Sequence, residues 1–457
     1  MKKRFGHLAS LILLVSSGVF GFDEQVIAVK DEGDFSTNWH QFRGPSASGV
    51  SSTAEPPTEW SETKNIKWKF DIEGVGSSTP IVWNNRVFFT SAIKTERVDP
   101  DLPAPEDQPR NGFFNIKAPN AFYQFVVFCV DRSSGKLLWE KVAVEAVPSE
   151  GRHPDNNFAS ASPTTDGKQL FVSFGSQGFY CYSFLGELKW KRDLGKVKTR
   201  NNFGEGASLT VADDHLIVVR DNEVRSAITV LDAGNGRTIW EKNREEPSCW
   251  STPVVVNKDG RNQLITNGNQ RVRSYELKTG KLFWECGGQV MNVTPCPIVD
   301  QNHVYCMSGY RGNVAMAIKL DSKGDVSNTD SVSWKLTDGT PYVPSPILYD
   351  GLLYFNKSNN NILTCVEANT GKIVYQRQRL PGIRNMYASP TGAGGKMFFV
   401  DRAGTTLVMA SGREFRQLAV NQLDDKFDAS PVLVGKEILL RGRNSLYCIA
   451  EMDSRNR

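Results

Sequence analysis

Short apolar runs recur along the chain, and glycine or polar turn residues separate them. In the unit Ser160–Trp190, one run follows Pro163, a second is Gln169–Phe174, a third is Phe179–Tyr182, and Gly186 turns the chain into a fourth run that ends the unit. Runs of this length between such turns are typical of β-strands. Each unit therefore predicts a small antiparallel sheet of four strands.

The units repeat with a regular period, and each begins with the same short step. A Ser/Thr-Pro step, or a degenerate form of it, precedes the first strand at Thr79-Pro80, Ser162-Pro163, Ser208-Leu209, Thr252-Pro253, Cys296-Pro297, Ser345-Pro346, Ser389-Pro390 and Ser430-Pro431. From the second copy onward these steps are 46, 44, 44, 49, 44 and 41 residues apart. A period of this length with strands in each unit indicates a β-propeller with one unit per blade. The sequence thus predicts an all-β, eight-bladed propeller of four-stranded antiparallel blades.

The ends of the repeat array predict how the ring closes. The last unit stops after a third strand at Leu446–Ile449, and its fourth strand is missing. The segment Ile66–Phe70 resembles a fourth strand with no unit before it. Pairing the two segments removes the open sheet edges that each would otherwise leave. We therefore expect the N-terminal strand to complete the last blade.

The N-terminus has the features of a secretory signal. Lys2, Lys3 and Arg4 precede an apolar stretch over 8–20, and Gly21 is a suitable last residue before cleavage. The interpretation predicts a signal peptide over 1–21, an N-terminal extension over 22–63, the propeller over 64–450 and a tail over 451–457. It also predicts an exported protein, periplasmic or extracellular, with no transmembrane anchor once the signal is removed.

Charge and cysteine content narrow the function classes. The net charge is +4, and losing the three positive charges of the signal leaves a nearly neutral chain, which gives no basis for nucleic-acid binding. Four of the eight cysteines, Cys129, Cys181, Cys365 and Cys448, share one repeat position, as buried small residues do. No CxxC motif occurs, so no metal site is assigned. The pairing of the other four cysteines stays open.

The connections between blades carry the candidate site. Alternating strand direction places the connections from the fourth strand to the next first strand on one face, together with the turns between second and third strands. These connections hold amides, aromatics and charged side chains that we predict to surround the channel mouth: Arg152, Asn157, Asn202, Glu205, Trp250, Asn292, Tyr342, Arg384, Tyr387 and Asp428. A long loop over 94–124 in the first blade belongs to the same face, either as a lid or as a surface excursion.

The hairpin pattern Asp-x-x-x-Gly-Lys-x-x-Trp, seen at Asp131–Trp139, together with the Ser-Pro step, resembles the pyrroloquinoline quinone (PQQ) repeat. The resemblance covers residues 64–450, and the opening segment Trp39–Gly49 is most similar to uncharacterised exported bacterial members. Other members are PQQ-dependent alcohol dehydrogenases, which also hold Ca²⁺. In such an enzyme, Glu205, Asn202, Asp428 and Trp250 would supply the oxygen ligands, the base and the stacking surface, with Glu205 and Asp428 as the catalytic candidates. The adjacent cysteine pair of many of these dehydrogenases is absent here.

Two functions follow from these patterns. The first is a binding module whose channel mouth recognises a small anionic or carbohydrate-like ligand, or a protein partner. The second is a periplasmic, PQQ- and Ca²⁺-dependent dehydrogenase of alcohols or sugars. Because arginines and aromatics outnumber an assignable set of metal ligands, we expect binding without catalysis, and no cofactor is assigned.

Overall fold

A computed structural model of the chain describes residues 33–452, so the predicted signal peptide and residues 453–457 lie outside the described residues. Within that range the chain forms strands and four short 3₁₀ helices, at Phe35–Thr37, Pro105–Asp107, Gly175–Gln177 and Arg200–Asn202. None of the helices in this range is long and apolar enough to cross a membrane.

The strands form eight sheets around a central channel, which confirms the predicted eight-bladed propeller. In chain order they are β1 (Ile66–Asp71), β2 (Ile81–Trp83), β3 (Arg86–Val98), β4 (Ala121–Asp131), β5 (Leu137–Ala146), β6 (Thr164–Thr165), β7 (Leu170–Ser173), β8 (Phe179–Tyr182), β9 (Leu188–Arg192), β10 (Thr210–Ala212), β11 (His215–Arg220), β12 (Ser226–Asp232), β13 (Thr238–Arg244), β14 (Val254–Lys258), β15 (Arg261–Asn267), β16 (Arg271–Glu276), β17 (Leu282–Gly287), β18 (Ile298–Val299), β19 (His303–Ser308), β20 (Val314–Lys319), β21 (Gly324–Asp325), β22 (Val332–Leu336), β23 (Ile347–Tyr349), β24 (Leu352–Asn356), β25 (Ile362–Glu367), β26 (Ile373–Arg379), β27 (Thr391–Ala393), β28 (Lys396–Val400), β29 (Thr405–Ala410), β30 (Gln417–Gln422), β31 (Val432–Val434), β32 (Glu437–Arg441) and β33 (Ser445–Ala450).

Seven of the sheets have four strands, and the fourth blade has five. Its additional strand, β21, pairs in parallel with β17 through Trp284↔Gly324 and Glu285↔Asp325. This strand comes from the elaborated hairpin of the next blade, so it ties the two blades together.

The eighth blade closes as the sequence predicts. Strand β1 pairs antiparallel with β33, with Phe70 opposite Leu446 and Ile66 opposite Ile449. Arg441 reinforces this closure from inside, because its buried guanidinium donates to the carbonyls of Ser78, at 2.9 Å, and Thr90, at 2.6 Å, in the first blade. The first and last blades are therefore joined by a strand and by a buried cation.

The residues of the Ser/Thr-Pro step form a ring of hydrogen bonds around the channel. In seven of the eight links, the backbone N–H of one step residue donates to the side-chain hydroxyl of the step residue in the next blade, at 2.9–3.1 Å. We call this set the hydroxyl ring: Thr79, Ser162, Ser208, Thr252, Cys296, Ser345, Ser389 and Ser430. Ser208 keeps its place in the ring without a following proline, and Cys296 keeps its place without a hydroxyl, so neither feature of the step is required in every blade.

The N-terminal segment, residues 33–63, runs across the end of the channel opposite the mouth. It pairs with the first blade through Trp39↔Val82 and with the seventh through Val50↔Gly392. Between these points Arg43, which is 1% exposed, donates to the carbonyls of Pro390, at 2.7 Å, and Pro346, at 2.6 Å. This part of the predicted N-terminal extension is thus integrated into the propeller.

All eight cysteines are buried and unpaired, which answers the question of pairing left open by the sequence. The long connection of the first blade is shorter than predicted, because β3 and β4 pair as far as Val98↔Ala121 and leave residues 99–120 as the loop.

Candidate functional site

A cavity of about 340 Å³ opens on the face that carries the connections between blades. All eight residues of the hydroxyl ring line its lower part, and Phe42 of the N-terminal segment also lines it. The upper wall comes from the connections and includes charged and aromatic side chains. The volume of the cavity lies in the range of about 300–1,000 Å³ that is usual for small-molecule sites.

Arg402 does not itself line the cavity, but it binds the two carboxylates, Asp155 and Asp428, that do. It follows β28, and its Nε and Nη2 donate to the two carboxylate oxygens of Asp428 at 2.6 and 3.2 Å. Its Nη1 donates to Asp155 at 2.9 Å, and the guanidinium lies over the ring of Tyr387, 4.0 Å from the centroid. The Tyr387 hydroxyl donates to the other Asp155 oxygen at 2.9 Å. Connections from three blades therefore meet in one cluster.

The cluster is ionised at neutral pH. Burial alone would raise the pKa of Asp155, but hydrogen bonds from Arg402 and Tyr387 outweigh it and hold the pKa below its usual value. Burial likewise opposes the charge of Arg402, yet the Asp428 and Asp155 carboxylates raise its pKa. One cation thus faces two anions, and the cluster carries a net charge of about −1.

Aromatic side chains form the remaining wall. Tyr310 and Tyr342 stack with their centroids 4.9 Å apart, and both line the cavity. Trp250 is held by its indole N–H, which donates to the Gly204 carbonyl at 2.7 Å. Phe203 lies 6.3 Å from Trp250, between centroids. These rings present flat apolar surfaces opposite the charged cluster.

The long loop reaches the cavity at Phe114. The Phe114 ring packs edge-on against Phe203, 5.0 Å between centroids, and lies 6.1 Å from the His153 ring. Burial lowers the pKa of His153. Its Nδ1 accepts the backbone N–H of Asp155 at 3.1 Å, so this side chain is a neutral part of the wall at pH 7.

The ten residues predicted from the sequence divide into three groups. Four line the central cavity: Trp250, Tyr342, Tyr387 and Asp428. Two, Asn157 and Glu205, line a smaller side cavity between the second and third blades, which shares Ser160, Gly206, Ser208 and Trp250 with the central cavity. The other four, Arg152, Asn202, Asn292 and Arg384, line neither cavity.

The four residues outside the cavities support the connections. Arg152 donates to the Asn156 carbonyl at 2.7 Å, and Asn202 donates to the Ile116 carbonyl of the long loop at 3.3 Å. Asn292 accepts from Arg200 at 3.2 Å. Arg384 exposes its side chain and uses its backbone N–H to bind Asp401 at 2.7 Å.

Residues that line the cavity but were not among the ten predicted include His153, Asp155, Phe203 and Tyr310, and Arg402, which binds Asp155 and Asp428 from outside the lining, was not among the ten either. Each lies within two residues of a segment that the strand pattern assigns to the channel face. The sequence therefore predicts which segments form this face. Which of its charged residues points inward depends on loop conformation, and the sequence pattern carries no signal for it.

Two half-buried carboxyl groups, Glu150 and Glu205, line the side cavity. Glu150 accepts the N–H of Thr199 at 2.9 Å and its hydroxyl at 2.8 Å, and burial raises the pKa of Glu150 to about 7. Glu205 accepts the Ser176 N–H at 2.7 Å, and burial raises its pKa as well. Glu205 is thereby engaged in holding the turn at Ser176.

The residues at the channel mouth do not fit a Ca²⁺ ion. Both carboxylates of the central cavity, Asp155 and Asp428, are bound to Arg402, whose guanidinium occupies the position between them. Glu205, the other expected ligand, lies in the side cavity. Within residues 33–452, no group of three or more histidine, cysteine or acidic side chains is arranged to hold a metal ion. The stacked tyrosines and Trp250 would still accommodate a flat molecule.

The fold and the closed ring of repeats define a PQQ-type propeller. Residues 124–377, more than half of the chain, match the family model described as outer membrane protein assembly factor BamB, and the chain belongs to this family of PQQ-like repeat proteins.

Solved structures show the same architecture. BamB from Moraxella catarrhalis superposes with a TM-score of 0.50 at 12% identity, over 79% of this chain and 98% of that one. Quinohemoprotein alcohol dehydrogenase from Comamonas testosteroni superposes with a TM-score of 0.57 at 9% identity, over 92% of this chain and 81% of that one. At these identities the likeness concerns the fold.

A curated relative is the tetrathionate hydrolase of Acidithiobacillus ferrooxidans. It is 23% identical over 268 residues, which are 55% of this chain and 49% of that protein. The match therefore spans about half the length of the relative.

Proposed function

We propose that this protein is a binding propeller whose channel mouth takes a neutral, hydroxyl-rich molecule of the carbohydrate type. The observation that carries the proposal is the Asp155–Arg402–Asp428 cluster facing the aromatic wall in one cavity. A sugar hydroxyl can donate hydrogen bonds to the Asp155 and Asp428 carboxylates, which line the cavity, while Arg402 holds both acids in place. The apolar face of a sugar ring suits Trp250 and the stacked tyrosines.

The net negative charge of the Asp155–Arg402–Asp428 cluster disfavours an anionic ligand beside it. Arg402 is already bound by two carboxylates, so an incoming anion would meet a net negative cluster. Arg152 and Arg384, the two arginines among the ten residues predicted from the sequence, do not line the cavity. Of the two ligand types that the sequence left open, the carbohydrate type is the better match.

The experiment is titration calorimetry of the purified protein with a panel of neutral mono- and disaccharides. Trp250→Ala removes an aromatic surface, and Arg402→Lys removes the fork that holds both carboxylates. We expect each variant to lose roughly tenfold or more in affinity for the best ligand. The matched control is Arg132→Lys, because Arg132 makes a comparable carboxylate contact, 2.6 Å to Glu437, away from the cavity. Failure of the whole panel to bind, or wild-type affinity in both variants, contradicts the proposal.

The alternative function, a PQQ- and Ca²⁺-dependent dehydrogenase, is tested in the same preparation. We expect no dye-linked oxidation of alcohols or sugars after addition of PQQ and Ca²⁺, since Arg402 occupies the carboxylates that a cation would need. Turnover that depends on both additions and disappears in Glu205→Gln would establish the dehydrogenase instead. Export of the mature chain remains part of the proposal, and N-terminal sequencing of protein from the culture medium or periplasm tests it.

A further inference from the structure

The N-terminal segment crosses the channel on the side of the cavity opposite the mouth. The His40 carbonyl accepts the N–H of Thr165 in the second blade at 3.0 Å, and Arg43 donates to the Pro346 carbonyl in the sixth blade at 2.6 Å. In a ring of eight, the second and sixth blades lie opposite each other. Residues 40–43 therefore span the channel, and Phe42, between the two contacts, lines the cavity.

This crossing is firmly held. The side chains of Trp39 and Arg43 are buried on either side of Phe42, and Trp39 pairs with Val82 of the first blade. Arg43 also donates to the Pro390 carbonyl of the seventh blade at 2.7 Å. A closely packed segment with anchors in several blades does not move aside for a ligand. The cavity consequently has a floor at Phe42, and a chain-like ligand can fill it only with one of its ends.

Two adjacent phenylalanines of the long loop lie at the other end of the cavity, at the mouth. Phe114 lines the cavity, and Phe113 packs edge-on against it with 5.3 Å between the ring centroids. Phe113 is 86% exposed, so nearly all of its ring is in contact with water. A ligand that leaves the cavity past Phe114 would cover this apolar surface and gain the free energy of its burial.

Hydrogen bonds hold both arms of the loop. The side-chain amide of Gln108 donates to the Ala118 carbonyl at 2.9 Å and accepts the Ala118 N–H at 3.1 Å. The Asn202 side chain donates to the Ile116 carbonyl at 3.3 Å. Phe113, at the tip between these arms, is thus positioned before a ligand arrives, which reduces the conformational entropy lost on binding.

We propose that the cavity is a closed-end site for the terminal unit of an oligosaccharide, with Phe42 beneath that unit and Phe113 against the unit that follows outside the mouth. The inference rests on the proposed carbohydrate function and adds the direction and length of the ligand to it. Phe42 ends the site on the inside, and Phe113 extends it by one unit on the outside. The apolar face of a sugar unit suits an aromatic ring at both places.

The first test measures affinity against ligand length. Glucose, galactose and mannose and their linear di- and trisaccharides are titrated by calorimetry. For the sugar that binds, we expect a rise in affinity of roughly 3–10-fold from the mono- to the disaccharide and little change to the trisaccharide, because Phe113 adds one contact. Equal affinities at all three lengths overturn this inference and leave the proposed function standing. Absence of binding by every sugar overturns both.

Variants assign the length dependence to Phe113. Phe113→Ala is expected to abolish the gain of the disaccharide over the monosaccharide, and a ring so exposed can be removed without loss of folding. The matched control is Leu102→Ala, which removes a side chain that is 42% exposed on the same loop and outside the cavity. A gain that persists in Phe113→Ala, or that disappears equally in Leu102→Ala, contradicts the role given to Phe113.

Phe42→Ala tests the floor. Since Phe42 contacts the terminal unit, we expect this variant to weaken the mono-, di- and trisaccharide by the same factor, roughly 3–10-fold. Phe35→Ala is the matched control, because Phe35 belongs to the same segment and does not line the cavity. Unchanged affinities in Phe42→Ala contradict the role of the floor, and if this variant does not fold, the stoichiometry below still decides the question.

Stoichiometry reveals whether the ligand enters by its end. A soluble linear dextrin, galactan or mannan, matching the sugar that binds, is titrated at two mean chain lengths. A closed-end site takes chain ends only, so we expect the number of protein molecules bound per chain to be the same at both lengths. A number that increases in proportion to chain length would show binding along the chain and overturns the inference.

Discussion

Arg402 shows how one side chain determines the chemistry of the channel mouth. It is planar and carries several donors in a fixed geometry, so it holds Asp428 through two hydrogen bonds and Asp155 through a third. A lysine at this position could not bridge the two carboxylates in the same way. With both acids held by one guanidinium, the mouth offers oriented carboxylate acceptors and a small net negative charge.

Tyr387→Phe tests the outer part of this cluster. The change removes the hydroxyl that donates to Asp155 at 2.9 Å, so Asp155 becomes less well oriented. We expect ligand affinity, measured by calorimetry, to fall by roughly 3–10-fold, the effect of one hydrogen bond. The control is Tyr305→Phe, since Tyr305 donates to Asp300 at 2.6 Å outside the cavity. Loss of affinity in both variants would show that the effect is general destabilisation.

Glu150 predicts a pH dependence of stability. Because burial raises the pKa of Glu150 to about 7, the folded protein binds a proton more tightly than the unfolded chain does, whose ordinary value is about 4.3. Between pH 4.5 and pH 7, Glu150 is protonated in the folded protein and ionised in the unfolded chain. Its contribution to the free energy of unfolding therefore falls as the pH rises through this range and is constant above about pH 7. The contribution is on the order of 3 kcal/mol.

The test is the melting temperature of Glu150→Gln between pH 4.5 and 8. We expect the glutamine variant to lose most of the decline seen in the wild type over this range, because its side chain cannot ionise. Glu106→Gln makes the same charge change on the exposed loop and should keep the wild-type profile. Identical profiles for all three proteins would contradict the assignment to Glu150.

At the scale of the element, the hairpin glycine and the strand-end tryptophan form one joint between blades. The indole N–H of Trp240 donates to the Leu277 carbonyl at 2.8 Å, and its ring packs under Gly280. The same arrangement joins Trp68, Trp139, Trp190 and Trp334 to the hairpin of the following blade. The glycine is required both for its positive φ and for the space that the ring occupies.

Trp284 is the exception, for a structural reason. Its indole N–H turns to Gln263 of its own blade, at 3.2 Å. The hairpin that follows is elaborated and supplies β21 to the edge of β17. A strand has thus replaced the glycine joint at this blade boundary.

Gly280→Ala tests the joint, with Gly351→Ala as its control. Both glycines have φ near +70°, but a Cβ at Gly280 would lie 2.7 Å from Trp240, and one at Gly351 meets nothing within 4 Å. We expect Gly351→Ala to cost about 1 kcal/mol from backbone strain alone. Gly280→Ala should cost on the order of 3 kcal/mol, because overpacking adds to the strain. Guanidinium unfolding midpoints measure the difference, and equal losses would mean that the tryptophan contact is unimportant.

At the scale of the whole molecule, stability depends on closure of the ring. Without β1 the last blade would expose β33 as an open edge, and the first blade would lose the buried indole of Trp68 beside Gly135. Open edges of this kind promote association between chains.

Two shortened variants test closure. A chain that begins at residue 64 lacks the N-terminal segment and keeps β1, and we expect it to remain monomeric with a lower melting temperature. A chain that begins at residue 72 also lacks β1 and should aggregate or unfold. Size-exclusion chromatography with light scattering distinguishes the two results. A stable monomer lacking β1 would contradict the role given to the β1–β33 pairing.

The sequence alone was sufficient for the architecture of this protein. The number of blades follows from the repeat period, and the pairing of Ile66–Phe70 with Leu446–Ile449 follows from the missing fourth strand of the last unit. The repeat can be recognised because each unit carries its own turn glycine, strand-end aromatic residue and Ser-Pro step. The four predicted residues that reach the cavity, Trp250, Tyr342, Tyr387 and Asp428, come from the same periodic reasoning.

Only the tertiary structure shows which side chains come into contact at the channel. The hydroxyl ring joins residues that lie 41–83 positions apart, or 351 where the ring closes, and Arg402 joins Asp155 and Asp428 at separations of 247 and 26. Phe42 lines the cavity only because the N-terminal segment crosses the far end of the channel. Such encounters depend on loop conformation and on ring closure, which no local pattern encodes, whereas strands and turns are set by the residues within each unit.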